Sequence, residues 1–393
     1  MRDVLYLAWR YLAYNRIKTA ILVFAIMLIV YLPVGLNVLV GRSAAHLTAR
    51  AEVTPLLVGA KGSPLELTLN SLYFESETPE ILRYREANRI AESGLADPIP
   101  LYVRFRARDY PIVGTTIDYF QFRGLPTAAG RFMAVLGECV LGAAVAEDLG
   151  LQPGSTIVSS PESVFDLAGV YPLKMHVVGV LEPSFGPDDR AIFVDIKTAW
   201  IMEGLGHGHQ DLDRPEAAAG VLAREGNRIT ANASVVQFNE ITTENMDSFH
   251  FHGDLESYPL SAVIAVPHDT KSSAILQGRY ESADEPSQIV SPITVMDNLL
   301  GTILTIRSFV VAAMLIVGLG TMATAVLVFL LSLRLRRREL LTLSKIGGAR
   351  GRIATVLAAE VLVVLVLGAA MAAGLTQLTR HFGTELIQRF IVT

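Results

Sequence analysis

The chain of 393 residues has one cysteine, Cys139, so no disulfide can form within it and its core must hold without cross-links. It has no nucleotide-binding loop. Ala60-Lys61-Gly62-Ser63 comes nearest but lacks the G-x-x-x-x-G-K-[ST] spacing that lets backbone amides cradle phosphates. A Gly-x-Ser-x-Gly elbow and a His-Glu-x-x-His zinc pair are also missing, and no two carboxylates can be paired for acid–base work. These absences argue against an intrinsic catalytic function, ATP hydrolysis included. Charge of one sign is scarce too: 33 Lys and Arg against 38 Asp and Glu leave a net charge of −5, too mild to imply a nucleic-acid partner.

Apolar length is plentiful, with hydrophobic residues making up 51% of the chain. Three runs, 19–40, 308–333 and 353–375, reach the roughly 20 apolar residues that a bilayer core requires. None has Asp, Lys or Arg at its centre, although Glu360 sits a short way into the third. A conducting path through the membrane needs polar groups there. The first run is too long for the apolar core of a signal peptide, about 7–15 residues, and no small-x-small cleavage site follows it cleanly, so it reads as a retained span.

Arg2, Arg10, Arg16 and Lys18 precede the first run, and seven Lys or Arg lie between the second and third. The positive-inside rule then puts both regions in the cytoplasm. The expected organisation is a cytoplasmic amphipathic helix over 1–18 (Asp3 to Asn15), a span over 19–40 and an extracytoplasmic segment over 41–307. A span over 308–333, a cytoplasmic loop over 334–352, a span over 353–375 and an extracytoplasmic tail over 376–393 complete it. The fold class is therefore an α-helical membrane protein with a large α/β extracytoplasmic domain and three transmembrane helices. The loop opens with Arg336-Arg337-Arg338-Glu339 and closes with Lys345-Ile346-Gly347-Gly348-Ala349-Arg350. A basic helical stretch whose Gly347-Gly348 permits a sharp bend suits a lever that another protein pushes.

The outer segment has room for one or two domains. Residues 101–106 and 110–114 read as a hairpin turning at Ala107-Arg108-Asp109, and 138–149 reads as a helix. Further strands are expected at 156–159, 173–181, 190–195, 262–267 and 288–291, with a helix over 270–279. The stretch 203–220, with Gly-His-Gly-His, lacks periodicity and reads as a loop. Residues 295–307 read as a helical stalk continuing into the second span.

Five of the eight histidines fall between His207 and His268. His207 and His209 flank one glycine; His250 and His252 flank Phe251, with Asp254 nearby. A His-x-His pair on an extended strand aims both rings at one face, and neutral imidazoles with a carboxylate suit zinc. His207, His209, His250, His252 and Asp254 are thus candidate metal ligands, the alternative being solvated loop histidines.

Several stretches resemble the permease subunits of MacB/FtsX-type ABC transporters, which include lipoprotein-releasing permeases. They are Pro55-Leu56-Leu57-Val58-Gly59-Ala60-Lys61-Gly62-Ser63-Pro64-Leu65 followed by Leu72-Tyr73-Phe74, then Gly130-Arg131-Phe132 and Glu138-Cys139-Val140-Leu141-Gly142. Val177-Val178-Gly179-Val180-Leu181 and Asp188-Asp189-Arg190-Ala191-Ile192-Phe193-Val194 come next, and last the stretch 336–360 with its Arg-Arg-Glu start and Gly-bearing turn.

The resemblance implies a subunit of a bacterial inner-membrane complex, driven by a separate ABC ATPase that supplies the ATP and magnesium chemistry. It implies pairing with a second permease copy, contact with membrane lipid, and an adaptor or binding protein outside. Arg336, Arg337, Arg338, Glu339, Lys345, Gly347, Gly348 and Arg350 would then form the ATPase-coupling element. The family's usual fourth span has no counterpart, since 384–392 contains Glu385, Gln388 and Arg389. Three roles stay open: handling a lipid, lipoprotein, peptide or drug-like cargo; serving zinc or other metal homeostasis through the histidines; or activating a cell-wall hydrolase.

Overall fold

The structure is a computed structural model that describes residues 2–75, 79–160, 172–209, 221–225, 228–231, 238–282, 284–335, 337, 341–342 and 350–391. Two compact units make it up, Met1–Ala49 with Asp297–Thr393, and Arg50–Met296. The chain starts with helix α1 (Arg2–Tyr14) and the 37-residue α2 (Arg16–Glu52), whose stretch Arg16–Gly41 is long and apolar enough to cross a membrane.

The second unit is a mixed α/β domain. Strand β1 (Leu56–Ala60) leads into α3 (Pro64–Tyr73). The Ser63 hydroxyl accepts the Glu66 N–H at 3.3 Å, and Pro64 occupies the first helical turn. Residues that superficially resemble a phosphate loop are thus a helix cap. There follow β2 (Leu82–Arg83), α4 (Arg85–Glu92), β3 (Ala96–Ala107), β4 (Tyr110–Thr115), α5 (Asp118–Arg123), β5 (Thr127–Gly130), β6 (Glu138–Leu141) and α6 (Ala143–Leu149). Next come β7 (Thr156–Val158), β8 (Lys174–Leu181), β9 (Ile192–Asp195), α7 (Ile196–Met202), β10 (Gly206–Gly208), β11 (Val221–Glu225) and β12 (Arg228–Ala231). The domain closes with β13 (Phe249–Phe251), β14 (Pro259–Leu260), β15 (Ala262–Pro267), α8 (Thr270–Arg279) and β16 (Ser287–Val290).

Ten strands form one sheet in the order β16-β1-β15-β3-β4-β9-β6-β8-β5, with β7 also on β8. The β4/β9 and β6/β8 pairs are parallel and the other pairs antiparallel. Both faces are covered, so its central strands are apolar on both sides. Leu56, Val58, Ile192 and Val194 enter one core with Trp200, whereas Leu57 and Phe193 enter the other with Tyr119 and Phe120. The expected hairpin is β3–β4. Its turn residues Arg108 and Asp109 both have positive φ, 47° and 70°, as a tight right-twisting hairpin demands.

Two expectations are corrected. Residues 138–149 are a strand and a helix, not one helix. Cys139, Val140 and Leu141 are fully buried between β8 and β9, and Glu138 accepts Nη1 of Arg131 at 2.7 Å and the Ala134 N–H at 2.8 Å. The break comes at Gly142, packed on the backbone of Asp188 and Asp189. Within 203–220, the part 206–208 is strand β10 rather than loop, paired with β13; 210–220 lies outside the described residues.

The chain ends with α9 (Pro292–Leu335) and α10 (Arg350–Ile391). Their stretches Ser308–Leu331 and Gly351–Phe382 are each long and apolar enough to span a bilayer. The stalk expected over 295–307 is part of α9. The described part of the expected tail, 376–391, is helical and continues α10. In the first unit Leu12, Val23, Ile26 and Val364 pack together, and Gly368 of α10 lets Ile26 approach so closely that a Cβ there would lie 2.6 Å from it.

Gly142→Ala tests the break between β6 and α6. Its Cβ would meet the Asp188 carbonyl oxygen at 2.2 Å and that of Asp189 at 2.4 Å. Backbone cannot swing aside as a side chain can, so thermal unfolding should show a loss of about 3 kcal/mol.

Candidate functional site

Three groups of residues are candidates for a functional role. Of the residues expected to couple to an ATPase, Arg336, Arg338, Glu339, Lys345, Gly347 and Gly348 lie outside the described residues; Arg337 is helical and exposed, and Arg350 opens α10.

The second group is a histidine cluster on the β10–β13 ribbon. The register pairs Gly206 with Phe251, His207 with His250 and Gly208 with Phe249. Side chains alternate between faces, so the ribbon is two-sided. On one face the rings of Phe251 and Phe249 lie over the glycines: a Cβ on Gly206 would come within 2.7 Å of Phe251, and one on Gly208 within 2.5 Å of Phe249. On the other face the imidazoles gather. The His207 ring centre is 4.8 Å from His250, 4.8 Å from His252 and 5.8 Å from His209; His250 is 5.1 Å from His209 and 4.7 Å from His252. Donor atoms of His207, His209 and His250 all lie within 4.8 Å of one another.

His250 Nδ1 is 3.0 Å from the Ser248 carbonyl oxygen. A carbonyl only accepts, so this contact puts the proton on Nδ1 and leaves the Nε2 lone pair for a ligand. Burial, then the neighbouring His250, His252 and His209, hold the His207 imidazole below its usual range, favouring its neutral form. The ribbon is fastened to the domain core: the Tyr258 hydroxyl donates to the His252 carbonyl at 2.8 Å, and Tyr258 stacks edge-on against buried Trp200. Asp254 is not in the cluster. Its carboxylate accepts the Glu256 N–H at 3.1 Å and caps a short 3-10 turn over Leu255–Ser257.

The third group was not singled out as functional from the sequence. Arg50, in the last turn of α2 and within the second unit, makes a bidentate pair with Asp188 through Nη1 to Oδ2 and Nη2 to Oδ1, the latter at 2.9 Å. Arg50 Nη2 also donates to the Tyr119 hydroxyl at 2.6 Å, and that hydroxyl donates to Asp188 Oδ1 at 2.7 Å. Only 4% of the Asp188 side chain is exposed. Arg123 is alongside, donating to Thr54 Oγ1 at 2.9 Å. Burial alone would raise the Asp188 carboxyl, but Arg50, the Tyr119 hydrogen bond and Arg123 outweigh it and hold the group below the usual carboxylate range. Its neighbour Asp189 instead ties the loop, accepting the N–H groups of Ser184 and Phe185. The adjacent carboxylates in a breaker-rich loop were a visible signal, but which arginine would meet them was not.

A family model described as the MacB-like periplasmic core domain matches residues 19–238, more than half of the chain. The chain belongs to this family, and its class is that of the MacB/FtsX-type ABC transporter permeases. These are generally non-catalytic membrane subunits that normally work with an ABC ATPase partner. Among solved structures the chain is similar to the extracellular domain of the noncanonic ABC-type transporter YknZ from Gram-positive bacteria. The identity is 13%, covering 60% of this chain and 98% of that one, with a TM-score of 0.32. It is also similar to the periplasmic region of MacB from Actinobacillus actinomycetemcomitans, with 10% identity over 65% and 97% of the two chains and a TM-score of 0.35. No curated protein sequence matches.

Two outcomes follow from this geometry. Asp188→Ala leaves Arg50 and Arg123 buried without their carboxylate and should cost about 3–5 kcal/mol in thermal or denaturant unfolding. Because the folded-state carboxyl sits below its unfolded value of about 3.9, its contribution is complete above that pH and is lost as pH falls through the folded value. The acid limb of the stability profile should therefore flatten in Asp188→Asn. On the ribbon, Gly208→Ala must push Phe249 aside; a loss of about 1–3 kcal/mol is expected, read as a lowered melting temperature.

Proposed function

We propose that this chain is the transmission subunit of an ABC transporter in a bacterial inner membrane, with its N-terminus cytoplasmic and two copies working with two ATPases. ATP binding closes the ATPases against the segment 334–352, where Arg336, Arg337, Arg338, Glu339, Lys345 and Arg350 supply the docking charges and Gly347-Gly348 the bend. The motion reaches the MacB-like domain, which handles a lipid, lipoprotein, peptide or drug-like cargo beside the membrane. The scarcity of charge in the span centres supports handling of this kind rather than passage through a polar pore.

The observation that carries the reading is the Arg50 clamp. The last turn of α2 is held to Asp188 and Tyr119 by a buried, bidentate, charge-assisted contact. A planar guanidinium fork resists reorientation as well as separation. A displacement of that turn therefore carries α5, which holds Tyr119, and the loop of Asp188 with it. A surface contact between exposed charges would slip instead.

Co-purification with the partner ATPase tests the docking assignment. The Arg337→Glu/Arg338→Glu double variant should fold and insert normally but lose its ATPase. Recovery of the ATPase in full amount with the double variant sinks the assignment.

A further inference from the structure

The histidine face of the β10–β13 ribbon has chemistry that transmission does not use. Four imidazoles converge there from strands about forty residues apart in the chain, with His207 and His250 directly opposed in the register. Solvated histidines gain nothing by gathering, since four rings that can each become cationic repel one another. Their convergence is built into the pairing. Glycines at Gly206 and Gly208 admit the phenyl rings on the far face, which keeps the strand alternation strict and all the imidazoles on the near one.

We propose that His207, His209 and His250, joined by His252, form a binding site for a late first-row divalent transition metal of the zinc class. Donor atoms of the first three already lie within 4.8 Å of one another. Imidazole nitrogens at 2.0–2.1 Å from a tetrahedral zinc are about 3.4 Å apart, so side-chain rotation of about 1 Å closes the set. The hydrogen bond from His250 to the Ser248 carbonyl is the outer-shell contact that metal-bound histidines use to fix tautomer and aim. The donor set is all nitrogen. Among the described residues no carboxylate joins the cluster, and imidazoles disfavour calcium and magnesium, which take oxygen ligands; without thiolate they do not make a soft-metal site. All four rings are partly or fully exposed, so the metal has an entry path and can exchange. Such a site suits a ligand that is captured and released better than a structural zinc sealed in a core. The inference is independent of the ATPase assignment.

The test uses the full chain in detergent, stripped of metal with EDTA. Zinc titration by calorimetry should give one ion per chain with a Kd of about 1 μM or tighter. Loss of an outer-shell contact alone costs 10–100-fold in affinity, so the His207→Ala/His250→Ala variant should weaken binding by more than about 100-fold. His268→Ala, which removes an exposed ring paired with Asp97, should leave it unchanged. Cobalt provides a reading on the unmutated protein: intense visible bands of four-coordinate Co²⁺ are expected. Failure to bind zinc at about 100 μM, binding undiminished in the double variant, or only the weak spectrum of six-coordinate cobalt overturns the site.

Discussion

The Asp188 carboxylate organises the MacB-like domain. It is a buried charge, and in a low-dielectric interior such a charge persists only where its partners are complete. Arg50 approaches from the last turn of α2, Tyr119 from α5 and Arg123 from the end of α5, while the backbone of Asp188 and Asp189 packs against Gly142 at the start of α6. Four elements distant in sequence are thereby held at one point. Their geometry is over-determined because the guanidinium and the hydroxyl share a single carboxylate oxygen. Around that point apolar and aromatic side chains fill both cores of the sheet, Phe193, Phe120 and the Tyr119 ring on one face and Trp200 on the other.

The imidazole ribbon rests on a different principle. Gly206-His207-Gly208-His209 and Phe249-His250-Phe251-His252 are complementary period-two patterns, and one register serves both. Slipping the pairing by one residue would place phenyl rings where the imidazoles are and leave the glycines uncovered. Aromatic packing on one side thus specifies the polar arrangement on the other, and Tyr258 and Trp200 fasten the result to the core. The domain accordingly carries a deeply buried ionic contact and, apart from it, a partly exposed cluster of imidazole donors.

Much of the architecture was legible beforehand because it follows from short-range rules. Long apolar runs announce helices, since a bilayer leaves backbone groups no other partner, and α2, α9 and α10 contain such stretches. The β3–β4 hairpin and α8 followed from breakers and periodicity. The misreadings share a cause. Glu138-Cys139-Val140-Leu141 and Gly206-His207-Gly208 are too short to show a period, and each is a strand only because of what lies beside it: β8 and β9 for the first, β13 for the second. Asp254 looked equivalent to its histidine neighbours until a local hydrogen bond claimed its carboxylate for a turn.

By itself the sequence determined the class of the protein: apolar runs long enough for membranes, a large α/β segment between them, and motifs in the order of a known permease family. Those properties are additive along the chain, so they can be read without knowing which residues meet. Tertiary structure alone decided which arginine neutralises Asp188, and that His207 and His209 gather with His250 and His252. Buried ion pairs and multi-ring clusters depend on contacts between residues tens to well over a hundred positions apart. Only the completed sheet register and the placement of Arg50 and α5 within the domain bring those residues within hydrogen-bonding or coordinating distance.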